Sequence, residues 1–355
     1  MLDKMRVSLI LLLFLTMIFT MTIVAAENDL ALDDIIELAL ENNLDLQLAE
    51  LNLEDARINY KKNELSNLRE SSRLFELQSE LQLIQAEENY KNIKNSVILD
   101  IIATYIDIIK RDQDIKTAEK ELALEERRVD EVKAQVEVGY KGTLDLFEQE
   151  TTYLSVSNRL ERIKYEREQE LRRLNQKIAV DVDINIRFLE LNFPELWEVN
   201  QNEVLEIGFK NNALLEMRDK QLELAKSELE RAKVSGTPGL DLRQKEIDVD
   251  KAILNLKQEE ENLENSLKNT HFQYQQSIKN LEMAEKSLHQ SRKHYNIINE
   301  QFEAGLLSRN NLLSSELQLY NAKNNLTSSI ISYYTSKLQL QQEMGLDLEV
   351  EIDNG

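Results

Sequence analysis

Three histidines, many carboxylates and no cysteine are the groups from which this chain would have to build a reactive centre. His271, His289 and His294 all fall in one Gly- and Pro-free stretch. His289 and His294 stand five apart, a spacing that does not set both rings on one helical face as a metal pair three or four apart would. All three read as surface histidines. No glycine-rich phosphate loop is present, and serine, histidine and aspartate form no recognisable nucleophile set. With 65 acidic residues in the chain, paired carboxylates carry no signal. The residues point away from an enzyme, and no cofactor or metal site is expected. One polar feature does repeat. Glu137 and Glu303 sit two residues before Gly139 and Gly305. A carboxylate at a helix C-terminus opposes the helix dipole, at a cost of about 0.3–1 kcal/mol. An acidic ring around an aperture would use such a pair, and a solvated glutamate in an acidic protein is the plainer alternative. Tyr140, Leu306 and Leu307, at the same two places, are either exposed apolar contacts or buried within their own turns.

The elements that must position these residues are written twice. Ala118-Glu119-Lys120 recurs as Ala284-Glu285-Lys286, Val136-x-x-Gly139 as Phe302-x-x-Gly305, and Val180-Asp181-Val182-Asp183 as Leu346-Asp347-Leu348-Glu349, each 166 positions on. Ala39 to Asn43 answers Gly208 to Asn212 at an offset of 169. Eight Gly and two Pro in 355 residues, with abundant Leu, Glu, Lys, Gln and Asn, describe a mostly helical chain. Asp33 or Asp34 is expected to cap a short first helix ending at Asn42-Asn43, and a second runs from about Leu44 to Leu68. From Leu74 to Val138 nothing breaks a helix of about 98 Å. Gly139 and Gly305 end the long helices with left-handed caps. Thr143 or Ser308 helps to start return helices, over about Leu144–Ala179 and Asn311–Gly345. In the second half the shorter arm and the long helix fall at about Leu214–Val234 and Leu242–Ala304. Alternating apolar residues at 181–193 and 346–352 predict a short strand pair.

The long helices carry a seam. Ile101, Ile108, Ile115, Leu122, Val129 and Val136 stand seven apart, matched by Leu267, Tyr274, Leu281, Leu288, Tyr295 and Phe302. A heptad sustained this long implies supercoiled, coiled-coil-like packing. The intermediate positions are weaker: Tyr105, Ala118 and Val132 serve, whereas Asp112 and Glu126 do not. Such a seam suits neighbours in a wall more than a thick two-stranded core. In each half the two shorter arms together match the long helix, so they line up end to end beside it. The expected fold class is mainly α, a tandem pair of long helical hairpins forming a sheet of helices.

Lys4 and Arg6 precede an apolar run from Val7 to Val24, and Val24-Ala25-Ala26 offers small residues to a signal peptidase. Residues 1–26 are therefore expected to be a signal peptide, with repeats over 27–193 and 194–355; a retained N-terminal anchor is the alternative. With 43 basic against 65 acidic residues, the net charge of −22 disfavours nucleic acid and anionic lipid as partners. Most of this charge reads as solvated surface.

The chain resembles the TolC-type outer-membrane efflux channel family. Its Ala39-Leu40-Glu41-Asn42-Asn43-Leu44-Asp45-Leu46 fits the family's opening pattern. The tip pattern is met by Val136-Glu137-Val138-Gly139 with Asp145-Leu146, and again by Phe302-Glu303-Ala304-Gly305 with Asn311-Leu312. Met344-Gly345-Leu346 fits the close. The resemblance implies a homotrimer whose twelve helical strands form an α-barrel, a periplasmic duct of a tripartite export or efflux system in the cell envelope. Its tips, at Glu137, Gly139, Tyr140, Asp145, Glu303, Gly305, Leu306 and Asn311, would face a membrane-fusion adapter and inner-membrane pump. The sequence departs from the family where members insert membrane strands. A barrel hairpin needs more than about 20 residues, and the links at Ser66–Arg73 and Ser235–Asp241 are shorter. No membrane β-barrel is expected, and direct membrane insertion is disfavoured. A barrel-less coiled-coil spacer of the envelope, without conduction, is the alternative function.

Overall fold

A computed structural model of the chain describes residues 32–70, 72–179 and 193–348. These contain eight helices: α1 Leu32–Asn42, α2 Leu44–Glu70, α3 Arg73–Glu137, α4 Thr143–Ile178, α5 Gln201–Asn211, α6 Ala213–Val234, α7 Gly239–Glu303 and α8 Arg309–Glu343. The duplication is metric. Helices α3 and α7 are both 65 residues long, and their first and last residues are 166 positions apart. Helix α2 has 27 residues and α6 has 22, so the two arms before the long helices are unequal.

Caps set these boundaries. The Asn43 carboxamide accepts from the Leu46 N–H at 2.8 Å and its equivalent Asn212 from the Leu215 N–H at 2.7 Å. The two asparagines of the opening pattern are thus N-caps, satisfying donors that the first turn leaves without partners. Asn42 reaches the other way, donating to the Ile178 carbonyl at 3.1 Å and tying the start of the repeat to the end of α4. Asp33 and Asp34 do not lie outside the helix as caps; they lie in the first turn of α1, where their charge favours the dipole.

Adjacent pairings order the helices as a wall four strands wide. Helices α2 and α4 lie along one side of α3, α6 and α8 along its other side, and α7 beyond these. Two short helices thus share the length of each long one, as their lengths imply. The twelve heptad positions are all buried or half-buried, most deeply at mid-height, where Ile101, Ile108, Leu267, Tyr274 and Leu281 are at most 1% exposed. Of the weak intermediate positions, Glu126 is exposed, while Asp112 is half-buried and bonded to Arg167 of α4.

The strand pair expected at 181–193 and 346–352 is not supported. Residues 180–192 and 349–355 lie outside the described residues, and 193 and 346–348 form no strand. Leu346 packs on the core around Tyr274 and Tyr333, and Leu348 on the core around Ile35 and Ile101. Their alternation therefore reflects a segment bridging two helical cores.

The end of α4 breaks the repeat's own rule. Its C-cap Ala179 has φ 53°, in the left-handed region, where the equivalent residue 166 positions on is Gly345 at φ 69°. A left-handed alanine is strained by about 1–2 kcal/mol. Ala179→Gly is therefore expected to raise stability by roughly 0.5–1 kcal/mol, read as a higher urea midpoint at unchanged slope.

Candidate functional site

The two hairpin tips are built alike. At the first, the Gly139 N–H donates to Val136 at 3.0 Å and the Tyr140 N–H to Gln135 at 2.8 Å; at the second, Gly305 donates to Phe302 at 2.9 Å and Leu306 to Gln301 at 2.8 Å. This closure needs a left-handed residue, and Gly139 and Gly305 supply it at φ 75° and 74°. The return helices start from matching side chains. Asp145 accepts from the Gly142 N–H at 2.8 Å, and Asn311 from the Ser308 N–H at 3.2 Å while its own N–H meets Ser308 Oγ at 3.3 Å. Asp145 and Asn311 are therefore engaged locally as caps, and Gly142, not Thr143, is the N-cap of α4.

The side chains of the tips project outward. Tyr140 is 80% exposed and Leu306 74%, whereas Leu307 is half-buried. Val138, Leu144 and Phe147 add exposed apolar surface at the first tip, which the heptad argument missed because they lie off the seam. Glu137 and Glu303 are both exposed, and Glu303 accepts from Asn299 at 3.1 Å. Among the described residues no hydrogen bond, ion pair or ring contact joins one tip to the other. The hairpins meet higher up, where Lys120 of α3 pairs with Glu316 of α8 at 2.8 Å and lies over the Tyr320 ring at 5.5 Å. The bond to Glu316 holds the Lys120 ammonium above its ordinary range. Asn324 adds a 2.8 Å bond to Thr117.

Above this level the segment 193–200, which joins the repeats, is strapped to the wall. The Tyr333 hydroxyl accepts from the Trp197 N–H at 2.9 Å and donates to the Glu195 carbonyl at 3.1 Å, and the Tyr274 hydroxyl donates to the Trp197 carbonyl at 2.6 Å. The rings meet in sequence as tilted pairs, Trp197 to Tyr274 at 5.6 Å and Tyr274 to Tyr333 at 5.7 Å. His271 is not a surface histidine: it is half-buried and bonds the Val199 carbonyl of the same strap at 3.1 Å. His289 and His294 are exposed.

The acidity of the chain is not spread evenly along its sequence. Segments 27–56, 180–209 and 343–355 hold twenty-two acidic residues and one arginine, a net of −21 out of −22 for the whole chain. Two of their helices sit at equivalent levels of the two long helices. Helix α1 packs at Ile101 and α5 at the equivalent Leu267, while Lys91 of α3 donates to the Gly345 carbonyl at 2.6 Å. The long hairpins on either side are close to neutral.

No protein-family model matches the sequence, and no curated protein matches it. Solved structures do. The chain is similar to the Campylobacter jejuni CmeC outer membrane channel, with 14% identity and a TM-score of 0.64 over 91% of this chain and 87% of that one. It is also similar to CusC, studied for folding and transmembrane channel formation, at 15% identity and 0.61 over 90% and 96%. The outer membrane protein VceC of Vibrio cholerae matches at 13% identity and 0.61 over 90% and 97%. The chain has the fold of the TolC-type outer membrane channels. Its described residues contain no strand, and α2 and α3, like α6 and α7, are separated by residues 71–72 and 235–238 alone. No described helix is long and apolar enough to cross a membrane.

Proposed function

We propose that this chain is a TolC-family protein, three copies of which close into a twelve-strand helical duct in the cell envelope, working with a membrane-fusion adapter and an inner-membrane pump. The observation that carries this reading is the pair of unpartnered edges of the wall. On α2, Leu44, Leu51, Ile58 and Leu65 are all exposed and stand seven apart. On α7, Leu240, Leu254, Phe272, Met283 and Ile297 are exposed. At about 100° per residue each set falls within roughly 60° on its helix, on the side away from the helix's buried face. A protein that exposes apolar stripes along both edges of an open wall buries them by joining edge to edge, and a head-to-tail contact of this kind forms a ring when the rotation between copies closes. In that ring Glu137 and Glu303 of three copies would set six carboxylates at the aperture, with Tyr140 and Leu306 presented to an adapter. A segment 1–26 cleaved before Glu27 would deliver the chain through the inner membrane.

A second reading, an envelope spacer without conduction, draws support from the two short links, since a duct of this family ordinarily continues into a barrel. Both readings make the chain soluble without detergent. Light scattering on residues 27–355 tests the ring: three copies at micromolar concentration, with far-UV circular dichroism dominated by helix, is the expected result. A stable monomer sinks the duct. A trimer that restores no efflux beside any adapter and pump of its own cell leaves the spacer.

A further inference from the structure

The two hairpins have the same lengths and are held by different forces. Helix α4 carries fourteen charged residues among its 36, and α8, its equivalent, carries five among 35. Across α3 and α4 the charges meet as a ladder. Lys177 bonds Asp100 at 2.7 Å, Arg167 bonds Asp112, Arg111 bonds Glu166 at 3.0 Å, Lys164 approaches Glu119 at 3.6 Å, and Arg159 bonds Glu121. Nearer the tip, Gln149 donates to the buried Glu125 carboxylate at 2.6 Å. Below the Arg167 rung the apolar cluster between the helices is small, with Ala118, Leu160 and Ile163 at its centre, while Leu171 and Leu174 above it join the core around Ile101. Across α7 and α8, by contrast, no ion pair is formed among the described residues, and the seam from Leu263 to Leu281 packs against Ile330, Tyr333 and Tyr334.

We infer that the first hairpin is an ionic-strength-responsive strut: screening its ladder loosens α4 from α3 while the second hairpin stays closed. The physical reason is the exposure of the rungs. The paired side chains are between 18% and 53% accessible, so solvent ions reach them, and the screening length falls from about 10 Å at 0.1 M to about 3 Å at 1 M salt. Each exposed pair contributes little alone, but five act on the same helix. Apolar packing has no such dependence on sodium chloride. Helix α4 packs chiefly on α3, with a smaller contact to α1, so its α3 face supplies most of what retains it. This inference concerns the hairpins of the single chain and does not depend on ring formation or conduction.

Hydrogen–deuterium exchange on the full chain, in 0.1 M and in 1 M sodium chloride, tests it. Amides of α4 between Gln149 and Lys177 are expected to lose protection by about tenfold in the higher salt, the cumulative effect of several weak pairs. Amides of α8 between Leu313 and Leu340 are expected to change by less than about twofold. A variant with Asp112→Leu, Arg167→Leu, Glu121→Leu and Arg159→Leu replaces two rungs with apolar pairs and should lose most of the salt response in α4. Equal responses in α4 and α8, or an undiminished response in a folded variant, would overturn the strut. If that variant fails to fold, the wild-type comparison of α4 with α8 decides alone.

Discussion

Replacing Leu281 and Leu288 together by glutamate is expected to lower helicity and abolish association in the same step. Leu281 is completely buried in the seam of α7, in the core that holds Tyr274, Ile330 and Tyr333. Leu288, one heptad further toward the tip, is half-buried. Truncating a buried leucine costs about 2–5 kcal/mol, and a carboxylate left there without a partner adds its desolvation. The expected loss is therefore about 4 kcal/mol or more, which approaches the entire stability of many domains. Helical stability in a protein comes mainly from packing an apolar face, so the second hairpin should unzip along the 65 residues of α7, and the edge that α7 offers to a neighbouring copy should go with it. The measurements are the ellipticity at 222 nm and the sedimentation coefficient at micromolar concentration. If both remain as in the wild type, the seam does not hold the wall and the duct reading falls.

A smaller change, Tyr333→Phe, is expected to release the strap between the repeats while sparing the helices. The substitution keeps the ring and removes one oxygen atom. That oxygen accepts the Trp197 N–H and donates to the Glu195 carbonyl, so two backbone groups lose their partner at about 1–3 kcal/mol each where water does not replace it. Tyr274 cannot compensate, because its hydroxyl proton is already committed to the Trp197 carbonyl at 2.6 Å. Burial pushes the Tyr274 phenol far above its ordinary value, so it remains a donor throughout the working pH range. Trp197 is the one tryptophan of the chain, and its emission should shift to the red as the strap loosens. Exchange at the Trp197 amide should rise at least tenfold, the equivalent of about 1.4 kcal/mol, with α3 unaffected. An unshifted spectrum with protected strap amides would mean that ring packing alone holds the segment.

The glutamates at the tips illustrate why a site of this kind is hard to read from residue types. Glu137 and Glu303 were noticeable only because the chain repeats them, and in the single chain both are simply exposed. Asp145 and Asn311, which the resemblance places at the tip, each bond within three residues along the chain. Their first task is to start a helix. Under the proposed function, contact with an adapter would fall instead to exposed tip side chains such as Tyr140 and Leu306. Val138, Leu144 and Phe147 belong to the same class and were illegible, because nothing in their spacing distinguishes an exposed apolar residue from a buried one.

What the sequence by itself determined was everything governed by neighbours a few residues away. Absence of Gly and Pro makes α3 and α7 continuous, Gly139 and Gly305 turn the chain, and Asn43 and Asn212 restart it, because backbone conformation and capping are local events. The heptad, too, named twelve seam positions, and none of them is exposed. The tertiary structure decided what depends on residues far apart in the chain. Asp112 in the seam looked like a defect until Arg167, 55 residues on, was brought to it. The acidic helices α1 and α5, far apart in the chain, are set by folding at the equivalent levels of Ile101 and Leu267. Of the strand expected at 346–352, the described residues 346–348 form a bridge between two cores instead. A period of two or seven records only that apolar residues are presented to something, and what that something is depends on which helices the connections lay side by side.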